Sequence, residues 1–108
     1  MELGKSNGTI LVVDDDGDVR MLVKDLLEFE GYAVLTAGDA ETAMRVHEDC
    51  QSVVALLLTD VIMPNINGLE LADRLLHKQH LSIASTYHVA LHLRYQIQPA
   101  SFRWHRRI

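Results

Sequence analysis

The sequence is poor in the residues that mark secreted, membrane-spanning or fibrous proteins. It has one cysteine, Cys50, in 108 residues. No internal disulfide can form, and the thiol is expected to be packed or half-exposed near a helix end, which fits a reducing cytoplasm. No apolar run approaches the roughly 20 residues of a membrane span. Residues 1–8 lack the basic and apolar blocks of a signal peptide and read as a flexible tail. There are two prolines, Pro64 and Pro99, and no repeat or low-complexity tract. Carboxylates are absent from the last third: all fifteen lie between Glu2 and Asp73. Six basic residues (Arg74, Lys78, Arg94, Arg103, Arg106, Arg107) and five of the six histidines follow. The net charge of −5 therefore hides a sign switch, which marks a compositional boundary near residue 76.

The apolar content is 48%, enough for one small folded domain. Thr9 to Val13 is aliphatic without alternation, as in a strand covered on both faces. From Asp18 to Glu30, Val19, Leu22, Val23, Leu26 and Leu27 recur at helical spacing, and Gly31 follows as a left-handed cap. Tyr32 to Ala37 reads as a second strand. Asp39 can cap a helix with Ala40, Ala43, Met44 and His47 on one face. Val53 to Thr59 is a third strand, and Gly68 precedes a helix through Leu69, Ala72, Leu75 and Leu76. This βαβαβα rhythm predicts an α/β fold with a parallel sheet and right-handed crossovers.

Carboxylates cluster where two of these strands end. Asp14, Asp15 and Asp16 follow the first strand, and Asp60 follows the third, leading into Val61-Ile62-Met63-Pro64. In an open parallel sheet, the carboxyl ends of the strands form the ligand crevice. Like charges gathered there repel, and a divalent cation such as Mg²⁺, held by carboxylates, water and phosphate oxygens, relieves that repulsion. The competing reading is that these acids cap a helix and open a turn.

The acidic turn, the Asp60-Val61-Ile62-Met63-Pro64 turn and Gly68 four residues later resemble the receiver domain of two-component response regulators. The resemblance covers residues 9–76. Around Leu56 to Pro64 it also extends to receivers fused to hybrid sensor kinases. It implies a flavodoxin-like doubly wound sheet of order 2-1-3-4-5. It implies a phosphoacceptor, Asp60, and Mg²⁺ held by Asp14, Asp15, Asp60 and the backbone carbonyl of Ile62. The partner it implies is a sensor histidine kinase or a phosphotransfer protein. The module would be cytoplasmic and not itself an enzyme, with no direct contact with membrane or nucleic acid. Asp16, though often acidic in the family, is expected to point away from the metal.

The carboxyl third departs from the pattern. The family's switch hydroxyl has two candidates, Ser85 and Thr86, both slightly early and without an apolar strand before them. The family's lysine has none, because no lysine follows Lys78. Residues 77–108 read as a divergent segment, with an alternating strand at 88–97 and a frayed basic end. The fold is expected to be incomplete after the third βα unit and its switching impaired.

Two alternatives stand beside this reading. Asp14-Asp15-Asp16-Gly17-Asp18 resembles the first motif of haloacid-dehalogenase-type phosphohydrolases, with Asp14 as nucleophile and Asp16 as general acid. The other is a truncated or frame-shifted receiver that no longer signals, with its third strand left as an open edge. A calcium loop starting at Asp14 is excluded by register, since Val19 stands where its glycine belongs. His88 and His92 lack further ligands for a metal site.

Overall fold

The computed structural model describes residues 8–50, 53–61, 63 and 66–86. Its elements alternate as β1 (Thr9–Val13), α1 (Gly17–Phe29), β2 (Ala33–Ala37), α2 (Ala40–Asp49), β3 (Val54–Thr59), α3 (Gly68–Leu76) and β4 (Ser82–Ser85). The four strands form one sheet in the order β2-β1-β3-β4, all pairings parallel.

Burial on both faces explains the unbroken aliphatic runs of β1 and β3. Side chains alternate across a strand. Ile10, Val12, Leu56 and Leu58 pack with Val23 and Leu27 of α1 on one face. Leu11, Val13 and Leu57 pack with Ala40 and Ala43 of α2 and with Leu71, Ala72 and Leu75 of α3 on the other. The sheet is therefore doubly wound, with α1 on one side and α2 and α3 opposite.

The helix ends follow local chemistry. Asp16 caps α1, its carboxylate accepting from the N–H groups of Asp18 and Val19 at 2.9 and 3.2 Å. Gly31, at φ 101°, ends the helix. Its N–H reaches the Glu28 carbonyl while Tyr32 N–H reaches that of Leu27, the paired closure that a left-handed residue permits. Asp39 and Asn67 cap α2 and α3 through the N–H groups of Thr42 and Glu70.

Leu22 was expected in the core stripe of α1 but is 54% exposed. It lies on the flank of that stripe, and α1 is the only helix on its face of the sheet among the described residues. Cys50 is half-buried at the end of α2.

β4 extends the sheet past Leu76, where the sequence rhythm stops. Ser82-Ile83-Ala84-Ser85 carries little strand signal by itself. It is held because Ile83 enters the core beside α2 and α3 while Ala84 enters the core beside α1. Its backbone pairs with Leu56 to Thr59, so β3 is not the open edge expected of a truncated sheet. The 88–97 strand pattern and the basic end lie outside the described residues.

Candidate functional site: an acidic crevice at the strand ends

Parallel register sets the site. Val13 is level with Ala37 on one side and with Thr59 on the other, and Thr59 is level with Ser85. The next residue of each strand therefore falls in one row: Gly38, Asp14, Asp60 and Thr86. Two backbone bonds continue the ladder into this row, Asp14 N–H to the Ala37 carbonyl at 3.2 Å and Asp60 N–H to the Val13 carbonyl at 3.0 Å. β1 has β2 on one side and β3 on the other, so the chain reverses its winding direction here, the place where such sheets bind ligands.

Asp14, Asp15 and Asp60 each offer a carboxylate oxygen, and these oxygens lie within 4.8 Å of one another. Octahedral Mg²⁺ at 2.0–2.1 Å spans about 4.1 Å between opposite ligands. The donor set thus fits with a small inward movement or with one carboxylate acting through water. Oxygen-only donors of this kind suit a hard cation. Among the described residues, none of the three carboxylates has an ion-pair partner.

The three acids differ in freedom. Asp14 is 4% exposed and clamped. Its Oδ1 accepts from Asp16 N–H at 2.9 Å, its Oδ2 from the Thr86 hydroxyl at 2.8 Å, and its backbone carbonyl from Arg20 Nη1 at 2.6 Å. Asp15 is exposed and Asp60 half-buried. Asp16 is not in the cluster; its carboxylate serves the start of α1.

The turn after Asp60 is fixed from two sides. Met63, 7% exposed, plugs into the core beside α2 and α3. Gly68 donates its N–H to the Val61 carbonyl at 2.8 Å. A Cβ on Gly68 would stand 2.1 Å from the Asp60 carbonyl oxygen, so this position requires glycine for space rather than for backbone angle. Ile62 and Pro64 lie outside the described residues, and the carbonyl expected of Ile62 with them.

Of the two candidate hydroxyls, that of Thr86 donates to the Asp14 carboxylate. Ser85 and Thr86 are both candidates by sequence because β4 and its register against β3 are not legible there. Arg20 was missed altogether; its only signal was a lone cation one turn into a helix opened by Asp14, Asp15, Asp16 and Asp18. Lys78 lies 3.6 Å from Glu48 and takes no part here.

Comparison with known proteins agrees with this geometry. The response regulator receiver domain family matches residues 10–93, continuing beyond Leu76. The transcriptional regulatory protein CpxR of Klebsiella pneumoniae is 48% identical over 61 residues, 56% of this chain and 25% of CpxR, so the chain spans about a quarter of that relative's length. Among solved structures, the receiver domain of the hybrid histidine kinase CckA superposes with a TM-score of 0.68 at 29% identity, covering 84% of this chain and all of that one. The response regulator TrrA of Thermotoga maritima, solved in complex with Mg²⁺ and beryllofluoride, gives 0.61 at 38% identity over 67% of this chain and 61% of its own. TrrA in complex with the histidine kinase ThkA gives 0.63 at 35% identity, over 72% and 66%. Nothing in the fold or in these relatives favours the phosphohydrolase reading. With its order of parallel strands, its acidic crevice and its family match, the chain belongs to the response regulator receiver domains, the signalling modules of two-component systems.

Proposed function

We propose that Asp60 accepts a phosphoryl group from a phosphohistidine on a sensor histidine kinase or phosphotransfer protein, with Mg²⁺ held by Asp14, Asp15 and Asp60. The observation that carries this is the gathering of those three carboxylates within 4.8 Å at the ends of β1 and β3. The complexes of TrrA with Mg²⁺–beryllofluoride and with a histidine kinase support the choice of cofactor and partner.

In the transfer, a carboxylate oxygen of Asp60 attacks phosphorus, the phosphorus–nitrogen bond breaks, and an acyl phosphate forms as the histidine leaves. Such chemistry asks the protein mainly for positioning and neutralisation of charge. Mg²⁺ held by Asp14, Asp15 and Asp60 would supply that neutralisation. The chain supplies the positioning. Asp14 is held by four groups, and the acceptor turn is held by Met63 and Gly68. Thr86 stands two strands from Asp14 with its hydroxyl on that carboxylate, in reach of the same crevice. Among the described residues Lys24 and Lys78 are paired with Glu28 and Glu48, so the group they offer for a conformational response is the Thr86 hydroxyl. Amide shifts on adding beryllofluoride should then cluster around Asp14, Asp15 and Asp60.

Among the described residues, no helix is long and apolar enough to cross a membrane, and the proposed setting is the cytoplasm. Asp60→Ala should abolish labelling by acetyl phosphate or by a phosphorylated kinase. Label that persists, or that maps to Asp14, would overturn the assignment and bring back the phosphohydrolase reading.

A further inference from the structure

Behind the acidic crevice the fold places one cation that the acceptor chemistry does not use. Arg20 leaves the first turn of α1 and donates from Nη1 to the Asp14 backbone carbonyl at 2.6 Å. Its guanidinium runs past two glycines, Gly17 at the start of α1 and Gly38 in the loop after β2. A Cβ on Gly17 would lie 3.5 Å from Nη2, and one on Gly38 would lie 3.3 Å from Nη1. Gly38 follows β2 directly, as Asp14 follows β1, and the pairing of Val13 with Ala37 sets the two side by side. The left-handed glycines among the described residues are Gly8 and Gly31. Backbone conformation therefore does not call for glycine at 17 or 38; at 38 room for the guanidinium does, while at 17 a Cβ would meet it at ordinary contact distance.

We propose that Arg20 is a positioning residue for the metal-holding acids, acting through the peptide between Asp14 and Asp15. That peptide is planar and rigid. Anchoring its oxygen fixes the plane from which Asp15 departs. The Asp14 side chain has its own tethers in Asp16 N–H and Thr86. Asp15 is exposed, and no hydrogen bond or ion pair holds its side chain among the described residues, so its aim depends on the backbone beneath it. A guanidinium suits the task because it stays charged and presents several donors in a fixed plane.

Charge and position predict opposite signs, which makes the inference testable. If Arg20 acted only as a positive charge, it would repel Mg²⁺, and its removal would tighten binding. As a positioning residue it prepays the ordering of the ligands, and its removal weakens binding. Groups one step behind metal ligands commonly change affinity by about 10- to 100-fold. The lower end, about tenfold, is expected here because Arg20 holds a backbone oxygen rather than a ligand atom.

The inference rests on the proposed Mg²⁺ site, and the experiment separates the two. Mg²⁺ is titrated into the full chain by calorimetry and followed by amide shifts, with thermal melts in metal-free buffer alongside. Wild type should saturate and Asp15→Asn should bind far more weakly; failure of either result sinks the metal reading itself. With both in hand, Arg20→Gln should weaken binding about tenfold, and Arg20→Lys by less. Gly38→Val keeps the charge but crowds the guanidinium, and should weaken binding about as much as Arg20→Gln. The double variant should be no worse than Arg20→Gln, because both changes act through one contact. Should Arg20→Gln be unfolded at the assay temperature, Arg20→Lys and Gly38→Ala carry the same comparison. Unchanged or tighter Mg²⁺ binding in the folded Arg20 variants, or wild-type affinity in Gly38→Val, would overturn the positioning role while leaving the metal site standing.

Discussion

Replacing Gly68 with alanine should destabilise the protein and slow acceptor chemistry together, although alanine is the better helix former. The added Cβ would stand 2.1 Å from the Asp60 carbonyl oxygen and 3.0 Å from both the Asp60 carbonyl carbon and Val61 Cα. These are backbone atoms, so no side chain can swing aside. Even to reach 3.0 Å from that oxygen, the acceptor turn and the start of α3 must part by roughly 0.9 Å, in an interior packed as densely as an organic crystal. Overpacking of this kind costs about 1–3 kcal/mol. Stretching the 2.8 Å bond from Gly68 N–H to the Val61 carbonyl adds up to about 1 kcal/mol, while helix propensity returns at most about 1 kcal/mol. The net loss is about 1–3 kcal/mol, and each kcal/mol lowers the Tm of a domain this size by about 4–8 °C. Asp60 sits on the displaced turn. A misplacement near 1 Å can cost about 100-fold in rate. Thermal melts by circular dichroism and the rate of acetyl phosphate labelling by intact mass measure both effects, the second at a temperature where the variant is folded. A variant that melts at or above wild type and labels at the wild-type rate would refute the claim that Gly68 is there to make room for the acceptor turn.

Thr86→Val should lower stability to urea by about 1–3 kcal/mol, because it leaves the buried Asp14 Oδ2 without its donor, whereas Thr86→Ser should keep most of that stability; equal midpoints for wild type and Thr86→Val would dismiss the hydrogen bond. Asp39→Ala should cost about 1 kcal/mol as a lost helix cap. The backbone and side-chain hydrogen bonds to Thr42 hold the Asp39 carboxyl below its ordinary 3.8. Its contribution is therefore complete above that value and lost as pH falls through the lowered one. The stability difference between wild type and Asp39→Asn should be flat near neutrality and change only on acidification below about 3.8; a change near pH 6 would point to another group.

Much of the fold was legible because its signals are local. The aliphatic runs of β1 and β3, the stripe centred on Val23 and Leu27, and the caps at Asp39 and Gly31 each declare an element without reference to the rest of the chain. Leu22 was misjudged because periodicity names a stripe but not its width, which depends on how many helices share that face. Ser82 to Ser85 went unread as a strand because small residues carry weak propensity. It is a strand because β3 offers a backbone partner and both cores accept its apolar pair.

The candidate site divides in the same way. The sequence alone determined which carboxylates follow which strands, and Asp14, Asp15 and Asp60 were identifiable because an acid at the end of an aliphatic run is a local and costly pattern. Gly68 was legible as part of the motif, but its reason, room beside the Asp60 carbonyl, belongs to the structure. Only tertiary structure decided which hydroxyl meets the acids, since that depends on the register of β4 against β3. It alone showed Arg20 lying between Gly17, at the start of α1, and Gly38, in the loop after β2. Residue type and spacing are written along the chain, but parallel register lines up the residue after each strand, and no stretch of sequence contains that alignment by itself.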